Sequence, residues 1–304
     1  MKKTFKFLAG LLLITLIFSC NRSAHFEAKF RAQSPAAANV HVFQTWNSLN
    51  EMNYTDSALP LSDEIFPSDF VPWAGIVSHH ILAHEYIDAW FSRLAKMRTP
   101  KRFYILCPDH YKLSLEHYSL TEGSWDSGFG LVETDKNKVK SFIELLKVNT
   151  DDRVFEIEHG ISVLMPYIKK HFPAACVVAV VISGESEVNT LIARQLADVL
   201  EKEFDKEGKQ DNFLIISSDF SHKGSSEETG INDLKSEKYL RNSAETSWNS
   251  VNCDNKNGIY ILDRLGKKNM ESEILYHTNS LEISGKGEDD ITSYFFVYFS
   301  DRKE

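Results

Sequence analysis

Three apolar runs of this chain end in side chains that can bind a metal or transfer a proton. The side chains are His79 and His80 after the first run, His110 after the second, and Asp219 and His222 after the third. A single histidine at the end of a strand is usually structural. Histidine and aspartate at the ends of three apolar runs instead favour a shared functional site.

The elements that must position these residues are strands and crossover helices. Apolar, β-branched runs at 73–79, 101–107, 174–182 and 212–218 predict strands buried on both faces. A segment with helical periodicity at 81–97 connects the first two. Parallel strands joined by such helices have their carboxyl ends at one edge of the sheet, where open α/β folds bind their ligands. We therefore predict an α/β three-layer sandwich with a mixed, largely parallel central sheet, to which residues 291–299 add a strand.

The first 20 residues predict export. Lys2, Lys3 and Lys6 precede an apolar stretch at 8–18, which is short for a membrane-spanning helix. The sequence IFSC, which ends at Cys20, resembles the signal of a bacterial lipoprotein. We expect an exported protein that a lipid on Cys20 anchors on the periplasmic or cell-surface side. An ordinary secretory signal or an uncleaved anchor is the alternative.

The composition of the rest of the chain predicts its domain organisation and the kinds of partner it disfavours. Residues 21–44 lack periodicity and predict a tether, and residues 45–304 predict one α/β domain without internal repeats. Without the first 20 residues the chain holds 31 Lys and Arg against 43 Asp and Glu, a net charge of about −12. Such a balance argues against nucleic acid as a partner, and we expect membrane contact only through the lipid at Cys20.

Several short motifs, in order from Trp73 to Ser300, resemble the Memo-like family (AmmeMemoRadiSam system protein B), which is akin to class III extradiol dioxygenases. The motifs are SHH with His79, CPDH with His110, EHG with Glu158 and His159, SSDFSH with Asp219 and His222, and CDNKNG with Cys253. The resemblance implies a class III extradiol dioxygenase-like fold for the single domain.

The resemblance also implies a metal site. Its ligands would be His79, His110 and Cys253, and Asp219 and His222 would be the catalytic residues beside it. The pocket-lining residues would be His80, Glu158 and His159. Two imidazoles and one thiolate form a borderline-soft donor set, so the expected metal is iron or copper, with zinc as a further option.

Three functions remain open at this point. The first is a metal-dependent redox enzyme for a small-molecule substrate or a peptide, in which His222 transfers protons and Asp219 orients it. The second is a metal-dependent hydrolase, in which the metal activates water. The third is a non-catalytic module that binds a small ligand or a peptide.

Overall fold

Runs of valine, isoleucine, leucine and phenylalanine build the large sheet of this mixed α/β protein. The computed structural model describes residues 41–45, 59, 70–184, 188 and 190–303. Within these residues the strands are β1 (Val42–Gln44), β2 (Ala74–Val77), β3 (Arg102–Pro108), β4 (Tyr118–Leu120), β5 (Ser124–Asp126), β6 (Leu131–Val132), β7 (Cys176–Ile182), β8 (Asn212–Ser217), β9 (Met270–Asn279) and β10 (Ser293–Asp301).

Seven of these strands form one mixed sheet, in the order β4-β7-β3-β8-β2-β10-β9. The four central strands β7, β3, β8 and β2 are parallel to one another. Strand β4 at one edge and strands β10 and β9 at the other are antiparallel to their neighbours. The prediction that five apolar runs share one sheet with a parallel centre is confirmed.

The register of the central strands brings the candidate residues to one edge. Val77 of β2 lies opposite Ser217 of β8, and Leu106 of β3 lies opposite Ile216 of β8. Because these strands are parallel and end at similar heights in the sheet, the segments that follow them lie next to each other at one edge.

Helices connect most of the strands. They are α1 (His84–Met97), α2 (Lys136–Leu146), α3 (Asp152–Phe155), α4 (His159–Ser162), α5 (Met165–His171), α6 (Thr190–Glu201), α7 (Gly208–Asp211), α8 (Ser226–Arg241), α9 (Lys256–Gly266) and α10 (Ser280–Ser284). Two short 3-10 helices span Ile81–Ala83 and Trp248–Ser250.

The sheet carries an apolar core on each face, because successive strand residues point to opposite sides. Tyr104 and Leu106 of β3 belong to the core that includes residues of α2, α6 and α9. Phe103 and Ile105 of the same strand belong to the other core, with residues of α1 and α5. Each face of the sheet thus packs against an apolar cluster that includes helix residues.

A small second sheet contains the last residues of the predicted tether. Strand β1 pairs in parallel with β5, and β5 pairs with β6. Phe43 of β1 is completely buried and its ring packs against Trp125 and Phe155. This strand is not evident from the amino-acid pattern, because a run of three residues is too short to show alternation.

The predicted signal peptide at 1–20, with Cys20, and the predicted tether up to residue 40 lie outside the described residues. Among the residues that the structure describes, no helix has both the length and the apolar character needed to cross a membrane.

Asn255 ties the start of α9 to the ends of two strands. Its side-chain amide donates to the carbonyl oxygens of Leu106 at 2.9 Å and Ser217 at 3.0 Å. Its side-chain oxygen accepts from the N–H of Gly258 at 2.9 Å, which caps the helix. The turn before α9 is therefore fixed against β3 and β8.

We expect Asn255→Ala to lower the free energy of unfolding by about 2–4 kcal/mol, because it removes a helix cap and leaves two buried carbonyl groups without donors. Chemical denaturation measures the loss. Asn249→Ala, which changes an exposed asparagine, is the control and should stay within about 0.5 kcal/mol of wild type. Equal stabilities of the two variants would contradict this role of Asn255.

Candidate functional site

Three imidazole rings meet at the carboxyl edge of the sheet. His79 follows β2 and His110 follows β3, and their ring centroids are 4.7 Å apart. His159 at the start of α4 adds a third ring, with its centroid 5.2 Å from that of His79 and 4.3 Å from that of His110. The structure thus brings two predicted ligands and one predicted lining residue together.

A chain of hydrogen bonds determines which nitrogen of His79 faces the site. The hydroxyl of Ser217 donates to the carbonyl oxygen of Gly160 at 2.5 Å. Its oxygen therefore accepts from Nδ1 of His79, which is 2.9 Å away. A neutral imidazole with its proton on Nδ1 carries a lone pair on Nε2. The Nε2 atom of this buried ring is consequently the acceptor or the metal ligand.

Glu158 orients His110 in the same way. Its carboxylate accepts from Nδ1 of His110 at 2.7 Å and from the backbone N–H of His110 at 3.1 Å. It also accepts from the N–H of Gly160 at 2.9 Å and so caps α4. Carboxylate partners of this kind fix the tautomer of metal-binding histidines. Burial opposes the charged ring, but the carboxylates of Asp254 and Glu158 raise the pKa of His110 to about 10.

Gly160 allows the close approach of α4 to the strand ends. A Cβ atom at this position would lie 2.3 Å from Sγ of Cys107 and 3.1 Å from Cε1 of His110. Cys107 is fully buried, and its thiol donates to the carbonyl oxygen of Pro108 at 3.2 Å. Burial near the Glu158 carboxylate raises the pKa of this thiol, which is therefore neutral.

The turn before α9 places the carboxylate of Asp254, a residue that the sequence analysis did not predict for the site, beside these imidazoles. Oδ2 of Asp254 lies 3.2 Å from Nε2 of His79, 3.5 Å from Nε2 of His110 and 3.6 Å from Nε2 of His222. Burial acts to raise the pKa of Asp254, but the three imidazoles hold it well below its usual range. Asp254 therefore carries a negative charge at the centre of the site.

The second oxygen of Asp254 is held by the end of β8. Oδ1 accepts from the hydroxyl of Ser218 at 2.8 Å and from the backbone N–H of Asp219 at 3.1 Å. The backbone N–H of Asp254 in turn donates to the carbonyl oxygen of Asp219 at 3.1 Å. These contacts leave Oδ2 directed at the imidazoles.

Asp219 lies behind the histidines. Its side chain accepts from the hydroxyl of Ser78 at 2.5 Å, and its Oδ2 is 3.9 Å from Nε2 of His79. Only 3% of Asp219 is exposed. A carboxylate in this position can orient a neighbouring imidazole but has little access to solvent.

His222 and His80 line the sides of the site. The His222 side chain is 42% exposed. Burial acts to lower its pKa, but the carboxylates of Asp254 and Asp219 outweigh this effect and raise the pKa above its usual value. Nδ1 of His80 is hydrogen-bonded to the hydroxyl of Tyr294, and burial lowers its pKa. His222 is thus the histidine of this pair that solvent and a substrate can reach.

His159 lies toward the opening of the site. The hydroxyl of Tyr111 is 3.3 Å from its Nδ1 atom, and Tyr111 is itself 44% exposed. Burial together with His79 and His110 lowers the pKa of His159 to about 3. Its ring is therefore neutral and suited to act as an acceptor or a ligand.

Cys253 lies among apolar side chains, in the core that includes residues of α6 and α9. It is 7% exposed, and burial beside Asp254 raises the pKa of its thiol to about 12. Its role as a metal ligand stays a prediction from the sequence.

Among the described residues, three groups have ligand atoms within 4.8 Å of one another and could hold a metal. The groups are His79, His110 and His159; Cys107, His110 and Glu158; and His79, Asp219 and Asp254. His79 and His110 each belong to two of them, whereas Cys253 belongs to none. The metal-binding potential is therefore centred on the two strand-end histidines.

The sequence reasoning missed Asp254 and Cys107 as members of the site. Asp254 is adjacent to the predicted ligand Cys253, and a charged side chain that directly precedes a helix cap was the available signal. Cys107 lies inside an apolar run, where a cysteine usually packs as a small hydrophobic residue.

Comparison with known proteins identifies the relatives of this chain. The sequence model of a family described as Memo-like protein matches residues 70–289. A MEMO1 family protein of Caldivirga maquilingensis is 29% identical over 187 residues, which is 60% of this chain and 63% of the relative. A MEMO1 family protein of Pyrobaculum aerophilum is 29% identical over 143 residues, 45% of this chain and 48% of the relative.

A third relative gives broader coverage. A MEMO1 family protein of Aquifex aeolicus is 24% identical over 206 residues, 67% of this chain and 72% of the relative. The matches to the Caldivirga and Pyrobaculum proteins cover less than two thirds of the length of those relatives. The family match to residues 70–289 includes the candidate site.

Protonated His110 should stabilise the metal-free fold in a pH-dependent way. Its pKa is raised from 6.5 to about 10, so this stabilisation is fully present below about pH 6.5 and is lost as the pH rises through about 10. In Glu158→Gln one of the responsible charges is absent, and the loss of stability between these pH values should be smaller than in wild type.

Denaturation of chelator-treated protein across this pH range measures the difference. Glu245→Gln, which changes an exposed glutamate, is the control and should follow wild type. Identical pH profiles for wild type and Glu158→Gln would show that Glu158 does not hold the charge on His110.

Proposed function

The chain belongs to the Memo-like protein family, and on this basis we propose that it is a metal-dependent redox enzyme of the dioxygenase-like kind. The observation that carries the proposal is the orientation of His79 and His110. Ser217 and Glu158 occupy the Nδ1 atoms of the two rings, so that both Nε2 atoms point into the site, toward the Asp254 carboxylate.

The proposal includes the three-layer sandwich of class III extradiol dioxygenases. It is supported by the parallel centre of the sheet and by the two apolar cores on its faces. Ligand sites of open α/β folds lie at the carboxyl ends of the strands, which is where the histidines meet.

The donor set fits a transition metal. Imidazole nitrogens suit iron, copper and zinc, and two histidines from the protein leave coordination positions for a further protein ligand and a substrate. We propose iron or copper at the site, with zinc as the option for a hydrolase. When bound, the metal would supply the redox or Lewis-acid chemistry of the reaction.

His222 is the proposed proton-transfer group. It is the most exposed histidine of the site, and its Nε2 atom is 3.6 Å from the Asp254 carboxylate. An imidazole in contact with both a carboxylate and solvent can exchange protons with a bound substrate. Asp219 is the proposed positioning residue, because its carboxylate lies behind His79 and raises the pKa of His222.

A substrate with an apolar part is proposed, because exposed apolar side chains lie next to two site residues in the sequence. Tyr111 and Leu113 follow His110 and are 44% and 39% exposed, and Ile157 precedes Glu158 and is 45% exposed. A small aromatic or thiol-bearing molecule, or the side chain of a peptide, could contact these residues while its polar group approaches the histidines.

We expect His110→Ala to lose most of its bound iron, because one of two oriented imidazoles is removed. Metal content after anaerobic loading with Fe(II) and gel filtration measures the effect. His117→Ala, which changes an exposed histidine away from the site, is the control and should retain the wild-type metal content.

Equal metal content in wild type and His110→Ala would contradict the site. A wild-type protein that folds but binds none of iron, copper or zinc would instead favour the non-catalytic binding module. Zinc binding without dioxygen consumption would favour the hydrolase.

His222→Ala should leave the metal content nearly unchanged and lower turnover by about 10²- to 10⁴-fold, the usual effect of losing a general acid or base. Dioxygen consumption with candidate phenols and thiols provides the rate, and metal analysis provides the occupancy. A loss of metal equal to that in His110→Ala would make His222 a ligand, and an unchanged rate would remove it from the mechanism.

A further inference from the structure

The turn between Ser250 and α9 presents two side chains that could bind a metal. Cys253 is the ligand that the sequence predicts, whereas Asp254 is the residue whose carboxylate reaches the imidazoles. We infer that Asp254 rather than Cys253 is the third protein ligand, so that the site consists of two imidazole nitrogens and one carboxylate oxygen. The inference rests on the metal site proposed above.

The distances between the donor atoms agree with a shared ion. Two ligands that each lie about 2.1 Å from one metal, at angles between a right angle and a tetrahedral angle, are about 3.0–3.4 Å apart. Oδ2 of Asp254 is 3.2 Å from Nε2 of His79 and 3.5 Å from Nε2 of His110. Both separations from the Asp254 carboxylate are close to this range.

The Nε2 atoms of His79 and His110 and the Oδ2 atom of Asp254 are also atoms of the kind that bind a cation. Ser217 and Glu158 accept from the Nδ1 atoms, so each ring, in the neutral form that binds metals, presents the lone pair of its Nε2 atom. Oδ2 of Asp254 is an acceptor as well. The carboxylate oxygen lies within 3.5 Å of both nitrogens, and a metal ion bound to all three would take the place of protons there.

The backbone holds Asp254 in this orientation before any metal binds. Ser218 and the N–H of Asp219 occupy its Oδ1 atom, which leaves Oδ2 free. Asn255 fixes the next residue of the turn to the ends of β3 and β8. The carboxylate is thus preorganised as a ligand.

The same turn directs Cys253 elsewhere. Its side chain belongs to the apolar core that includes Leu106, Ile216 and Ile259. In the part of the chain that the structure describes, no group of converging ligand atoms includes its sulfur. Asp254, by contrast, lies within 3.5 Å of both Nε2 atoms.

The identity of this ligand changes which metals the site prefers. Two histidines and one carboxylate, with open positions, form the donor set of non-haem iron(II) oxygenases, whereas a thiolate favours softer ions such as Cu(I). A carboxylate also cannot be oxidised as a thiolate can, so oxidation of Cys253 would not remove a ligand.

Anaerobic titration with Co(II) tests the inference on the wild-type protein. Binding of one cobalt ion without a thiolate-to-cobalt charge-transfer absorption is expected. Cys253→Ala should bind cobalt with wild-type affinity, and Asp254→Asn should bind it at least about 100-fold more weakly, since even outer contacts of metal ligands contribute 10- to 100-fold. Circular dichroism of each variant verifies that it folds.

A charge-transfer absorption in wild type that disappears in Cys253→Ala would overturn the inference and leave the metal site in place. Tight cobalt binding by folded Asp254→Asn would overturn it as well. If wild type binds no cobalt, iron or zinc, the proposed function fails together with the inference. Should Asp254→Asn not fold, the absorption of the wild-type complex still decides between oxygen and sulfur.

Discussion

The charge of the Asp254 carboxylate is the constraint that organises the site. A largely buried anion is costly unless groups around it compensate its charge and fill its hydrogen bonds. One of its oxygens receives two donors from the end of β8, and the other faces three imidazole nitrogens. Ser217 and Glu158 orient two of the rings around this oxygen, and Asn255 fixes the turn that carries it.

The fold supplies the fixed positions. The parallel strands β2 and β3 end at similar heights, so His79 and His110 lie next to each other. Ser217 and Glu158 then determine which nitrogen of each ring faces the site. Gly160 lets a short helix close over the two rings, since a larger residue would collide with Cys107 and His110. The result is a site whose polar atoms are oriented by buried partners rather than by flexible surface side chains, which is the arrangement that metal binding and catalysis require.

Much of this could be predicted from the sequence. Five of the seven strands of the large sheet follow from apolar runs, and the convergence of His79 and His110 follows from the rule that parallel strands end at one edge. The short strand β1 could not be predicted, because its stability comes from burial of Phe43 against distant aromatic rings. Local sequence carries no record of such contacts.

The sequence alone also could not decide whether Cys253 or Asp254 is the third metal ligand. Two consecutive residues of a turn project in different directions, and the backbone path that sends one into the core is set by contacts from distant strands. Motif similarity placed the ligand at the cysteine, whereas hydrogen bonds from Ser218 and Asp219 turn the aspartate toward the rings. A shift of one residue along the chain thereby exchanges a sulfur ligand for an oxygen ligand.

X-ray absorption spectroscopy of the anaerobic Fe(II)-loaded protein tests the central claim most directly, because it identifies the atoms bound to the metal. The account predicts only nitrogen and oxygen neighbours near about 2.1 Å, with the outer-shell scattering of two imidazole rings. A sulfur neighbour near about 2.3 Å, or the absence of imidazole scattering, would contradict it.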